Sequence, residues 1–251
     1  MRSNKLLLSL LILSISIACE NDAALNASGG TGQGGSMTRF AVSGNYLYLL
    51  DNTNIKVFGI ALGKFEQLQE LYVGWGMETI FAKGEYLYLG AREAMYIYSV
   101  TDPESPLFIF RYQHLVSCDP VVVQGNRAYV TMRGGSSCNR GMNALEIIDI
   151  TDRYNPRLIV NYPMETPHGL GIDQTRLFIC QGEKGLSVLD VSDEKDPGVI
   201  AHRDDFFAYD VIVREGLATI TGEDGIFQFS YSHVDADINL ISKIPVFRED
   251  L

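Results

Sequence analysis

Residues 121–132 read VVVQGNRAYVTM: an apolar run, a polar turn at Gly125, and a second apolar run. Two short apolar stretches hinged on a glycine make a β-hairpin phrase. The phrase recurs as FAVSGNYLYLLD (40–51), IFAKGEYLYLGA (80–91), LGIDQTRLFICQ (170–181) and IVREGLATITGE (212–223). Its turn residues Gly44, Gly84, Gly125, Gln174 and Gly216 follow at intervals of 40, 41, 49 and 42 residues. A period in this range marks a repeat architecture. The long interval holds GGSSCNRGM (134–142), which reads as an insertion in a loop.

Working outward, each hairpin is followed by a second formula. IKVFGI (55–60), MYIYSV (95–100), LEIIDI (145–150), LSVLDV (186–191) and IFQFSY (226–231) suit a strand held between neighbours. Asp- and Pro-bearing turns come next: TDPESP (101–106), TDRYNP (151–156) and SDEKDP (192–197). A fourth strand closes the unit, as in LFIFRY (107–112), RLIVNY (157–162) and LISKIPV (240–246). Four strands in each of five units, with no helical pattern, predict an all-β fold. It is a five-bladed β-propeller with four-stranded antiparallel blades over about 37–76, 77–116, 117–165, 166–206 and 207–248. The first unit lacks the Asp-Pro turn (ALGKFEQ), and the fifth has SHVDADI in its place.

LEIIDITDRYNP and LSVLDVSDEKDP resemble the LVIVD repeat of bacterial and archaeal surface proteins. SCDPVVVQGNRAYVT and YPMETPHGLGIDQTRLFIC resemble a Bacteroidetes lipoprotein subgroup of it. The resemblance spans about Met37 to Val246. It implies a propeller at the cell surface and brings no catalytic motif with it.

The start of the chain is an address. A basic Met1–Lys5 precedes an apolar run from Leu6 to Ile17, too short to cross a bilayer, and Ser16-Ile17-Ala18 leads into Cys19. This resembles a lipobox, with Ser16 where Leu is usual: residues 1–18 would be a signal peptide and Cys19 the lipidated N-terminus. Each buried methylene of the lipid contributes about 0.8 kcal/mol, so acyl chains alone would anchor the protein in the cell envelope. Residues 19–36, rich in Gly and Ser, read as a flexible tether before the propeller at 37–251. Removing Arg2 and Lys5 with the signal takes the net charge from −11 to −13. With no Lys/Arg cluster, nucleic acid is excluded as a partner.

Three cysteines remain beyond Cys19. In a propeller blade, Cys118 would start the inner strand and Cys138 would lie in the loop at the same end, so a disulfide between them is expected outside the cytoplasm. Closing about 20 residues would stabilise by about 3 kcal/mol. Cys180, in RLFIC, reads as a buried small hydrophobe. No CxxC or paired His suggests a metal, no Gly-rich loop with Lys-Ser/Thr suggests a phosphate, and no cofactor is expected. His114, His202 and His233 fall in inter-strand or loop segments without partner spacing and are expected to be exposed.

Counting six residues back from each turn gives Thr38, Glu78, Asp119, His168 and Asp210. Inner strands line a propeller's channel, so these side chains are expected around one mouth. Arg39, Trp75, Tyr209 and Cys118 would be its rim. Such a ring could bind a cation or polar ligand, or it could only hydrogen-bond between blades. The reading favoured by the sequence is a monomeric, non-enzymatic binding or scaffold module for a protein or glycan. The alternatives are a glycan hydrolase using Glu78, Asp119 and Asp210, and a purely structural surface component.

Overall fold

The computed structural model describes residues 34–113, 120–134 and 142–246. These form twenty strands and no helix. The first blade is β1 (Phe40–Ser43), β2 (Tyr46–Asp51), β3 (Asn54–Ala61) and β4 (Lys64–Tyr72). The second is β5 (Met77–Lys83), β6 (Tyr86–Ala91), β7 (Ala94–Ser99) and β8 (Leu107–Gln113). The third is β9 (Val121–Gln124), β10 (Arg127–Met132), β11 (Ala144–Asp149) and β12 (Arg157–Pro163). The fourth is β13 (Leu170–Asp173), β14 (Arg176–Cys180), β15 (Leu186–Asp190) and β16 (Gly198–Arg203). The fifth is β17 (Ala208–Arg214), β18 (Leu217–Gly222), β19 (Gly225–Tyr231) and β20 (Ile238–Pro245). Each blade is an antiparallel sheet in chain order, and the five make a five-bladed β-propeller.

The inner hairpins turn on two residues. Gly44, Gly84 and Gly125 take φ of 57°, 57° and 58°, which a Cβ disfavours. Gln174 holds the same position at 53°. Its strain is offset locally: the Gln124 side chain accepts from the Gln174 N–H (3.0 Å) and donates to its carbonyl (2.6 Å). In blade five the equivalent residue is Glu215 (φ 52°), one before Gly216.

The repeated Asp-Pro turn is a clasp. Asp149 and Asp190 cap it by accepting the N–H of Thr151 and Ser192, both at 2.8 Å. Hydrogen bonds from those residues hold both carboxyls below the usual range. The turn then reaches the second strand of the preceding blade. Tyr48 donates to the carbonyl of Pro103 (3.0 Å). Arg153 donates to Tyr88 (3.1 Å) and lies 4.3 Å over the Tyr86 ring. Glu194 meets Arg127 at 2.6 Å, and Arg176 donates to the carbonyl of His233 (3.3 Å). Four clasps thus join five blades in order.

Apolar cores lie between blades one and two, through blades two to four, and between four and five. None spans the seam from five back to one. There Phe40 and Leu49 of blade one, and Ile212, Leu217 and Ile226 of blade five, each stay more than a third exposed. Blade one has no clasp to offer: its third and fourth strands join through a tight turn at Leu62-Gly63. The missing Asp-Pro turn therefore falls where the ring closes.

Residues 34–38 bridge that seam instead. Ser36, in the stretch read as tether, is 1% exposed. Its hydroxyl donates to Asp210 of blade five (2.9 Å) and accepts from the N–H of Leu170 of blade four (2.8 Å). The Met37 N–H donates to Asp210 (3.1 Å), and the Thr38 carbonyl accepts from Ile80 of blade two (3.0 Å). Cys180 is fully buried in the core between blades four and five, as its apolar reading requires. Burial pushes its thiol well above the usual value. Cys19, Cys118 and Cys138, with their expected lipid and disulfide, lie outside the described residues.

Candidate functional site

The end of the ring at which the inner strands begin carries the residues of interest. Of the expected five, Glu78 and His168 line one cavity of about 220 Å³ with Met37, Arg39, Thr79 and Arg133. Thr38 faces the central channel below it, and its hydroxyl donates to the carbonyl of Gly35 (2.8 Å). Asp119 lies outside the described residues.

Asp210 stands apart because its register differs. Glu78 and Tyr209 occupy the β-bulges that open β5 and β17, so counting back from Glu215 gives Tyr209, not Asp210, at the place of Glu78. One residue of slip turns a side chain to the other face. The Asp210 carboxylate goes under the bridging segment, where a Cβ on Gly35 or Gly169 would lie 2.1 or 2.0 Å from it. Burial raises its pKa, against the donors Met37, Ser36 and Val211.

Of the rim residues, Arg39, Trp75 and Tyr209 lie at this end, while Cys118 lies outside the described residues. Arg39 and Trp75 line a second cavity of about 450 Å³ with Asn52, Glu78, Arg92 and Tyr96. Arg39 and Glu78 belong to both cavities, which therefore adjoin. Trp75, the chain's single tryptophan, is 80% exposed. Tyr209 packs edgewise, its ring centroid 6.3 Å from that of His168.

Charge is distributed unevenly here. Arg92 pairs with Glu78 (3.1 Å), while Arg39 bonds Asn52 (2.9 Å). A guanidinium nitrogen of Arg133 lies 2.6 Å from Nδ1 and 3.0 Å from Nε2 of His168. Burial and then the Arg133 charge lower the His168 pKa to about 4, so the imidazole is neutral at pH 7. Gly182, at φ 59°, makes room for it: a Cβ there would meet Nε2 at 2.9 Å. Among the described residues no group of three His, Cys, Asp or Glu is placed to hold a metal.

Arg92, Arg133 and Asn52 were not singled out by the sequence, yet a signal for them exists. Eight residues after the first turn residue come Asn52, Arg92, Arg133, Gly182 and Glu223. The second strand returns to the end where the first began, so the repeat register contains a second ring. The discounted His202 and His233 are exposed, as expected, but each has a partner. His202 stands on strand β16 and bonds Ser187 (2.9 Å), and His233 meets Asp173 (3.2 Å). The His233 contact runs from the loop after β19 of blade five to the end of β13 in blade four. His114 lies outside the described residues.

The central channel, about 250 Å³, is lined by apolar Ile80, Phe81, Val123, Ile172 and Val213, with Gly34 and Thr38 of the bridging segment, and also by Lys83, Gln124, Asp173, Arg214 and Glu215.

The LVIVD repeat matches residues 34–55 and 117–163, the start of blade one and most of blade three. With the five-blade ring, the match supports the LVIVD-repeat family. No curated relative matches the chain in sequence. Among solved structures, the chain is similar to the periplasmic gluconolactonase of Pseudomonas aeruginosa, at TM-score 0.63 and 10% identity over 81% of this chain and 68% of that one. A functionally unknown protein from Desulfotomaculum acetoxidans matches at 0.66 and 8% identity, over 87% and 70%. Hsv2 of Kluyveromyces lactis matches at 0.54 and 10% identity, over 80% and 60%. At such identities these likenesses describe the propeller fold.

Proposed function

We propose that the chain is a binding module that takes a glycan at this mouth. One observation carries the reading: the single tryptophan is 80% exposed on the wall of the 450 Å³ cavity. An indole on a cavity wall offers a flat apolar face on which a partner can stack, with its N–H left to hydrogen-bond. Across the same cavity stand Tyr96 and the planar polar groups of Asn52, Glu78 and Arg92. A sugar offers the matching surface, with C–H groups on its ring face and hydroxyls on its edge. Asn, Glu and Arg can each make paired hydrogen bonds to such hydroxyls. The test is a glycan array with the mature chain and Trp75→Ala. Wild-type capture of a defined glycan set, lost in the variant at unchanged melting temperature, supports the reading. Equal capture by both overturns it.

A second reading, hydrolysis of a ring ester, rests on His168 and on the name of the Pseudomonas neighbour. A neutral imidazole beside an arginine could take a proton from water. Glucono-δ-lactone opening above the buffer rate, abolished in His168→Gln, would favour it. We further propose that Cys19 is lipidated and holds the module in the cell envelope, in the manner of a Bacteroidetes lipoprotein. Cys19→Ser should then release the chain to the soluble fraction.

A further inference from the structure

The glycan reading leaves the smaller cavity unused. Its walls are more cationic than the rest of this acidic chain. At the shared boundary, Glu78 is offset by Arg92, and Glu93 by Arg111 at 3.2 Å. Among the described residues, Arg39 and Arg133 carry no carboxylate partner: one is held by the Asn52 side chain and the other by His168. Both partners are neutral, so among the described residues neither guanidinium is paired with a carboxylate. Two such groups on one 220 Å³ cavity, in a chain of net charge −11, point to a stored complement for an anion.

The geometry sets where that anion sits. Arg39 lines both cavities, so a ring resting on Trp75 in the larger one can place a substituent into the smaller. The guanidinium fork matches a planar carboxylate or a sulfate by two parallel hydrogen bonds. Pro120 and Pro167 wall the pocket without donating backbone N–H groups, leaving the arginines as its charged donors.

We propose that the Arg39–Arg133 cavity recognises an oxyanion, a carboxylate or sulfate, borne by the sugar that lies on Trp75, so that the ligand is an acidic glycan. This rests on the mouth being a glycan site. The experiment is calorimetric titration of the mature chain with three probes: trigalacturonate, sulfated galactotriose and unmodified galactotriose. The wild type should bind at least one acidic probe about tenfold more tightly than the neutral one, the equivalent of one charge-assisted hydrogen bond. Arg133→Gln, which touches only the smaller cavity, should reduce that ratio to about one and leave galactotriose binding unchanged. Arg133→Lys should restore part of it, which separates loss of charge from loss of fold. Trp75→Ala should weaken all three probes alike. Equal binding of acidic and neutral probes by the wild type overturns the inference while leaving the glycan reading standing. An acidic preference that survives Arg133→Gln also overturns it. Binding of none of the three overturns it together with the glycan reading for this class of sugar.

Discussion

Ser36→Ala should open the ring. The hydroxyl holds two blades at once, donating to the Asp210 carboxylate and accepting from the Leu170 N–H. Losing a hydrogen bond to a charged group costs about 1.5–3 kcal/mol, and a buried N–H left without an acceptor costs about 1–3 kcal/mol. Water is poorly placed to substitute at a residue 1% exposed. The two losses share one atom and will not add fully, so a total of about 3 kcal/mol is expected. For a domain of this size each kcal/mol moves the melting temperature by about 2–4 °C, giving a fall of about 6–12 °C. Thermal unfolding followed by circular dichroism measures it, with Ser99→Ala as control. That partly exposed hydroxyl bonds within its own turn, to Thr101 and its N–H, and its loss should cost about 1 kcal/mol at most. Hydrogen exchange should rise first in β1 and β17, the strands flanking the seam. If Ser36→Ala melts within a degree of wild type, residues 34–38 do not close the ring.

Gly169→Ala should destabilise more than an ordinary surface change, because its Cβ would meet the Asp210 carboxylate at 2.0 Å; equilibrium denaturation reads the loss. Arg127→Ala should cost about 1–3 kcal/mol, since one guanidinium holds Asp149 and Glu194 of adjacent blades, whereas Lys56→Ala, whose ion pairs stay within blade one, should cost under about 1 kcal/mol. His168 gives a pH signature. In the unfolded chain it takes up a proton near pH 6.5, while the folded chain resists until about pH 4. Stability is therefore complete above pH 6.5 and falls between 6.5 and 4. His168→Gln should flatten that part of the profile, and an unchanged slope would refute the burial of a neutral imidazole.

The ring was legible because its physics is local. An apolar pair of strands around Gly84 or Gly125 needs no distant contact to be recognised, and repetition supplies the topology. The clasps were half legible. The Asp-Pro turns stood out, but that Glu194 meets Arg127 depends on how blades stack. Blade five shows where counting fails. Its turn has two left-handed residues, Glu215 and Gly216, and choosing the glycine moved the register from Tyr209 to Asp210. Ser36 escaped notice because its neighbours are the Gly- and Ser-rich residues of a tether, and only the carboxylate 174 positions away gives it a role. At the mouth, inner-strand counting found Glu78 and His168. It passed over Arg92 and Arg133 because only the first strand of each hairpin was followed to its end.

The placement of the binding site on this mouth rests on Trp75, and as the single tryptophan it reports on itself. Intrinsic fluorescence titrated with galactotriose and trigalacturonate, alongside calorimetry on the same samples, tests the placement. A saturable spectral change with the calorimetric midpoint, lost in Trp75→Ala, is the predicted result. Heat of binding with an unmoved Trp75 signal would put the ligand elsewhere and contradict the account.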